Sequence, residues 1–122
     1  MRLSAASCLI GCLLMASPLH AQDAPVAIAS IAVEGGAGMV RLTGHALGVT
    51  AGHVDARMTI EKGGASGRTS TTQGGALDLA AGQDATVASV GLSIGAGDHL
   101  TVDLVLMDGE REVSRSRLSV GS

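Results

Sequence analysis

A chain of 122 residues holds one domain, and 46% hydrophobic against 16% charged residues is too apolar to stay disordered. It contains no Phe, Tyr or Trp, which removes both the stacking platforms that grip nucleic-acid bases and the aromatic cages that hold cationic ligands. The 18 glycines follow no triplet repeat, which excludes a collagen, and a net charge of −3 excludes a dedicated polyanion binder such as a nucleic-acid protein.

At the N-terminus, Arg2 precedes the apolar run Cys8-Leu9-Ile10-Gly11-Cys12-Leu13-Leu14-Met15-Ala16, and Leu19-His20-Ala21 ends in a small residue before Gln22. That is the pattern of a secretory signal spanning residues 1–21 and cleaved after Ala21, which leaves residues 22–122 as one exported domain. The run falls well short of the ~20 residues needed to cross a bilayer, so no stable membrane insertion is expected. Leu9-Ile10-Gly11-Cys12 also has the pattern of a bacterial lipoprotein cleavage site, but the apolar run continues past Cys12, which favours simple cleavage. Cys8 and Cys12 both lie inside the signal. The exported domain therefore has no thiol for catalysis, redox exchange or metal binding.

Beyond Pro25 the chain reads as a series of short β-runs. Residues 26–33 are β-rich and end in the turn Glu34-Gly35-Gly36-Ala37-Gly38. Met39-Val40-Arg41-Leu42-Thr43 is a second strand, and Ala46-Leu47-Gly48-Val49 reads as an irregular connection. The third run alternates strictly. Val54, Ala56, Met58 and Ile60 share one face, and His53, Asp55, Arg57, Thr59 and Glu61 share the other. After a glycine-rich turn, Arg68-Thr69-Ser70-Thr71-Thr72-Gln73 reads as a polar edge strand, with a separate short strand at Leu77 and Leu79. Val87, Val90, Leu92 and Ile94 change parity, which calls for a bulge at Ala88-Ser89.

Leu100, Val102, Leu104 and Leu106 alternate again, Asp108-Gly109 is a hairpin turn, and a final strand carries Val113, Leu118 and Val120. A bulge near Ser114-Arg115 would keep those three inward, point Arg115 and Arg117 outward, and set Arg117 opposite Asp103. The expectation is an all-β, Ig-like β-sandwich of seven to eight short antiparallel strands.

Little in the chain points to catalysis. No serine sits in a Gly-x-Ser-x-Gly elbow, and Gly35-Gly36-Ala37-Gly38 lacks the Lys-Ser/Thr ending and following helix of a phosphate loop. An enzyme is not expected, nor is a cofactor. His45, His53 and His99, with Met39 or Met107, leave a periplasmic copper-binding reading open as an alternative. The basic residues group more clearly: Arg57, Lys62 and Arg68 flank the third and fourth strands, and Arg111, Arg115 and Arg117 lie on the last. In an acidic protein that grouping offers a local positive surface for a binding partner.

From Val40-Arg41-Leu42-Thr43-Gly44 onward the chain resembles the curli-assembly chaperone family, CsgC-like and nearer its CsgH branch. The resemblance runs through Asp55-Ala56-Arg57-Met58-Thr59-Ile60-Glu61-Lys62, Thr69-Ser70-Thr71-Thr72-Gln73, Leu77-Asp78-Leu79, and His99-Leu100-Thr101-Val102-Asp103-Leu104 to Asp108-Gly109. It implies a small monomeric sandwich in the periplasm that keeps curli-type amyloid subunits soluble before export. The CsgC branch carries a Cys-x-Cys pair where this chain has Val54-Asp55-Ala56, so any thiol role proposed for that branch does not transfer. The resemblance brings no established site. The client-binding candidates Arg57, Lys62, Arg68, Arg111, Arg115 and Arg117 therefore rest on charge grouping alone. A structural Ig-like module of a surface assembly is the other alternative.

Overall fold

The chain's architecture follows from the period-2 alternation of its third and sixth strands, which are buried on one side only. The computed structural model describes residues 26–65 and 67–121. The signal-peptide reading and its cleavage after Ala21 lie outside the described residues. Seven strands follow in order: β1 (Ala27–Gly36), β2 (Met39–Gly48), β3 (Gly52–Gly64), β4 (Gly67–Leu79), β5 (Asp84–Ser93), β6 (His99–Asp108) and β7 (Arg111–Gly121). They form a three-stranded sheet ordered β1-β2-β5 and a four-stranded sheet ordered β4-β3-β6-β7, antiparallel throughout.

Central strands β3 and β6 supply most of the core. Val54, Ala56, Met58 and Ile60 from β3 and Leu100, Val102, Leu104 and Leu106 from β6 are all buried, as the alternation predicts. Each large aliphatic contributes about 1.5–3 kcal/mol when fully buried. The facing sheet contributes mostly small residues, Ala27, Ala29 and Ala46 beside Leu42. At Gly44 a Cβ would come within 2.7 Å of Met58 Sδ, so the glycine makes the space that Met58 fills. An interior without aromatic rings is thus filled by a thioether and branched aliphatics meeting alanine and glycine.

Three details differ from the expectation. First, Ala46-Leu47-Gly48 is not a connection; it completes β2, with Ala46 paired to both Ala29 and Ala85. Second, the two short strands expected at 68–73 and 77–79 are one strand, β4, which pairs with β3 without interruption and sets the count at seven. Gly74-Gly75 is no break because Gly74 passes close to β3: a Cβ there would collide with the Ala56 carbonyl oxygen. Third, both expected bulges exist, each one residue earlier. Gly44 pairs with Ala88 and His45 with Thr86, leaving Val87 as the extra residue. Leu106 pairs with Ser114 and Met107 with Glu112, leaving Val113 extra.

The open ends of the sandwich are tied across. The Ala29 amide donates to Ser114 Oγ at 3.0 Å, joining β1 to β7. At the opposite margin Lys62 Nζ donates to the Ser93 carbonyl of β5 at 2.8 Å.

Candidate functional site

The second bulge decides which side chains share the outer face of the four-stranded sheet. With Val113 taken out of register, Arg115 aligns with Val105 and Arg117 with Asp103. Arg57 lies beside Val105 on one side and Gly74 on the other, and Arg68 lies opposite Gly63 at the β3–β4 end. Arg57, Arg68, Arg115 and Arg117 therefore stand on one face. Arg41, by contrast, points out from the three-stranded sheet, where its Nη1 donates to Ser89 Oγ at 3.3 Å.

Two of the six candidates belong elsewhere. Lys62 shares the parity of Met58 and Ile60 and pairs with Leu100, so its stem runs inward and its ammonium reaches the Ser93 carbonyl and, at 4.0 Å, Asp98. It is a tie between sheets. Arg111 aligns with Asp108 at the hairpin, 3.6 Å from its carboxylate, and does not join the face.

Among the four on the face, Arg115 is spoken for. Its Nη1 donates to Asp103 Oδ2 at 2.6 Å, and its Nε and Nη2 donate to Glu112 Oε1 at 3.1 and 2.9 Å. The hydrogen bond to Glu112, reinforced by the charges of Asp103 and Glu112, holds its guanidinium pKa above the ordinary value. Arg117 was the residue expected to meet Asp103; it holds the register position, but Arg115 takes the carboxylate from the diagonal. Arg57, Arg68 and Arg117 are left without a hydrogen bond or ion pair to any described residue. Three unpaired guanidiniums thus span the face. Arg57 and Arg68 lie about 20 Å apart at ~3.4 Å per residue of strand.

Beside Arg57, on the side away from Arg68, the surface sinks. Gly74, Gly75 and Ala76 raise almost no side chain above β4, and an open groove of about 690 Å³ lies there against Arg57, Val105, Met107 and Arg115. Splitting a strand at 68–73 from one at 77–79 hides this groove, which exists because a single strand runs through Gly74-Gly75.

The histidines do not converge. His53 Nδ1 meets Asp78 Oδ1 at 2.8 Å with Asp55 3.8 Å from Nε2, while His45 meets Asp84 at 3.1 Å on the other sheet. The hydrogen bond to Asp78 is the main cause that raises the His53 pKa above 6.5; desolvation opposes it, and the charges of Asp78, Asp55 and Asp108 add to the rise. No three His, Cys, Asp or Glu side chains among the described residues stand where they could share a metal ion. His45 and His53 each bond a carboxylate through Nδ1, and neither bonds a hydroxyl among the described residues.

No family model and no curated protein matches the chain. Solved structures do. CsgH of R. palustris superposes with a TM-score of 0.58 at 23% identity, over 73% of this chain and 89% of that one. The E. coli curli protein CsgC superposes with a TM-score of 0.67 at 16% identity, over 75% of this chain and 96% of that one. The chain carries the CsgC and CsgH fold. A β-glucuronidase of Bacteroides uniformis also matches, at 10% identity and a TM-score of 0.52, but over only 14% of its own length. That likeness is to one sandwich module of a large enzyme and carries no chemistry with it. The CsgC-like sandwich of this chain instead extends over nearly the whole of its two smaller neighbours.

Proposed function

We propose that the domain is a periplasmic binding protein that restrains the aggregation of a curli-type amyloid subunit. Export with cleavage after Ala21 and action as a monomer are part of this proposal. The observation that carries it is the set of three unpaired guanidiniums, Arg57, Arg68 and Arg117, on one face of a CsgC-like sandwich. The likeness to CsgH and CsgC supports the choice of client. An amyloid subunit is hazardous because its segments template cross-β stacking. Unpaired guanidiniums meet such a chain through electrostatic attraction that raises encounter rates, and they need no deep apolar anchor. With no aromatic residue in the chain, the hot-spot side chains of tight interfaces are largely absent, so contact is weak and transient.

The test is the lag time of fibril formation by a purified curli subunit. The wild-type domain is expected to lengthen the lag at ratios well below equimolar. Arg57→Glu with Arg117→Glu should remove most of that effect, and Arg41→Glu on the other sheet should leave it. All three positions are exposed strand sites, so the fold should hold, as a thermal melt will check. Absence of any delay by the wild-type domain at equimolar ratio would reject the proposal.

A further inference from the structure

Along most of its length β4 is an unguarded sheet edge. Of the two sheets' margins, β1 and β7 are tied to one another through Ala29 and Ser114, and β5 receives Lys62 at Ser93. No hydrogen bond from residues 67–77 of β4 reaches any described strand but β3. Residues 67–76 are exposed on both faces, because the three-stranded sheet does not extend over them; only Leu77 and Leu79 turn under cover. Folded proteins blunt such edges with proline, lysine, bulges or a short strand. Here thirteen residues pair with β3 in unbroken register, with neither Pro nor Lys among them.

From this edge we infer the contact itself: β4 accepts an extended strand of the client, a Ser/Thr/Gln-rich segment bearing a carboxylate, as an added strand beside residues 68–75. The client's identity rests on the function proposed above; the edge does not. The outward row of β4 is Arg68, Ser70, Thr72 and Gly74, and Thr72 already makes a hydroxyl contact with Thr59 at 3.3 Å. A further hydroxyl- or amide-bearing strand continues that cross-strand ladder. The carboxylate follows from Gly74. An added strand would lie about 10 Å from β3, two strand spacings away. Gly74 stands between it and Arg57 and has no side chain, so the unpaired guanidinium can reach across β4 to an acidic residue there. Arg68 offers a second unpaired cation at the other end of the same edge.

A second copy of this chain fits less well. Antiparallel pairing about Gln73 would set Arg68 opposite Asp78, but His53 already holds Asp78, and the neighbouring Leu77 and Leu79 are covered. Within residues 67–76 no acidic residue is present to meet Arg68.

The probe is a short synthetic Ser/Thr/Gln peptide containing one Glu, added to the isotope-labelled domain and followed by NMR. Amide shifts and slowed exchange confined to residues 68–75 are expected. In Thr71→Pro or Thr72→Pro, one of the two prolines removes an N–H that faces the open edge while leaving β3 pairing intact. That variant, still folded by thermal melt, should bind about tenfold more weakly, the loss of one or two ladder hydrogen bonds. Shifts centred on any other strand, or no binding, would overturn the inference. So would a dimer seen by sedimentation and lost in the proline variant, which would make a second copy the occupant. If the wild-type and the edge-blocking proline variant delay fibrils equally, the edge inference fails and the proposed function stands. If the peptide binds at β4 but the wild-type domain never delays fibrils, the client fails and the edge stands.

Discussion

His53 shows how much of this molecule's charge is settled by single contacts. It sits on β3 between Asp55 of its own strand and Asp78 of β4, and the short hydrogen bond to Asp78 raises its pKa above 6.5. A folded-state value above the unfolded one means that protonation favours the folded chain. The contribution is complete below about pH 6.5 and fades as pH climbs through the raised folded-state value. The imidazole is exposed enough for solvent to screen it, so the effect on stability is small and the titration itself is the better readout. Proton NMR of wild-type protein should place the His53 midpoint above that of a free histidine. Asp78→Asn should bring it down most of the way, since Asp55 retains part of the attraction. An unchanged midpoint in Asp78→Asn would show that the pairing does not persist in solution. Lys62 teaches the same lesson from the other direction. Its parity with Ile60 and Met58 was visible in the sequence, and that parity, rather than its charge, decides that it ties two sheets together.

At the scale of strands, β4 depends on Gly74. A Cβ there would collide with the Ala56 carbonyl oxygen, and its φ of +154° is one that L side chains rarely adopt. Gly75, the next residue, has nothing within 4 Å of an added Cβ and no positive φ. Gly74→Ala should therefore cost about 1–3 kcal/mol in a denaturant melt, as a contact with rigid backbone forces the strands apart. Gly75→Ala should lie within about 0.5 kcal/mol of wild type. Equal effects at both positions would mean that the close approach at Gly74 is absent.

The same pair marks the limit of reading strands from sequence. β3 and β6 were legible residue by residue, because they are central and buried on one face only, so hydrophobicity reports their pleat directly. Most of β4 is exposed on both faces, and its sequence records no difference between them. Glycines in such a strand look like turns, although here Gly74 marks a close backbone approach. The bulges were legible as parity conflicts, but the conflict fixes only that one residue is extra. Its position, Val87 or Val113, depends on which neighbour tolerates the half-buried site. For the candidate face, the register of Arg117 with Asp103 could be deduced. That Arg115 captures that carboxylate could not, because it turns on the reach of a side chain and on Glu112 beside it.

Over the whole molecule the charges are divided in kind. On the four-stranded face Asp103 and Glu112 are engaged by Arg115, and that triad is neutral but for one negative charge, while Asp55 and Glu61 stand on the same face of β3. Arg57, Arg68 and Arg117 are not consumed. A chain of net charge −3 thus keeps three cations available on one side. Such an arrangement acts over distance only as far as salt allows, and the Debye length is about 8 Å at 0.15 M and about 3 Å at 1 M. The fibril delay should therefore weaken as salt rises, provided that the subunit alone is measured at each salt concentration as the reference. The double variant Arg57→Glu with Arg117→Glu should have little delay left for salt to remove, while Arg41→Glu should lose its delay in parallel with wild type. Variants that alter Arg115 are the wrong probe, because removing it strands Asp103 and Glu112 beside one another and costs stability. If the wild-type delay were as strong at high salt as at low, the guanidiniums would not be guiding the encounter, and the contact would have to rest on backbone pairing alone.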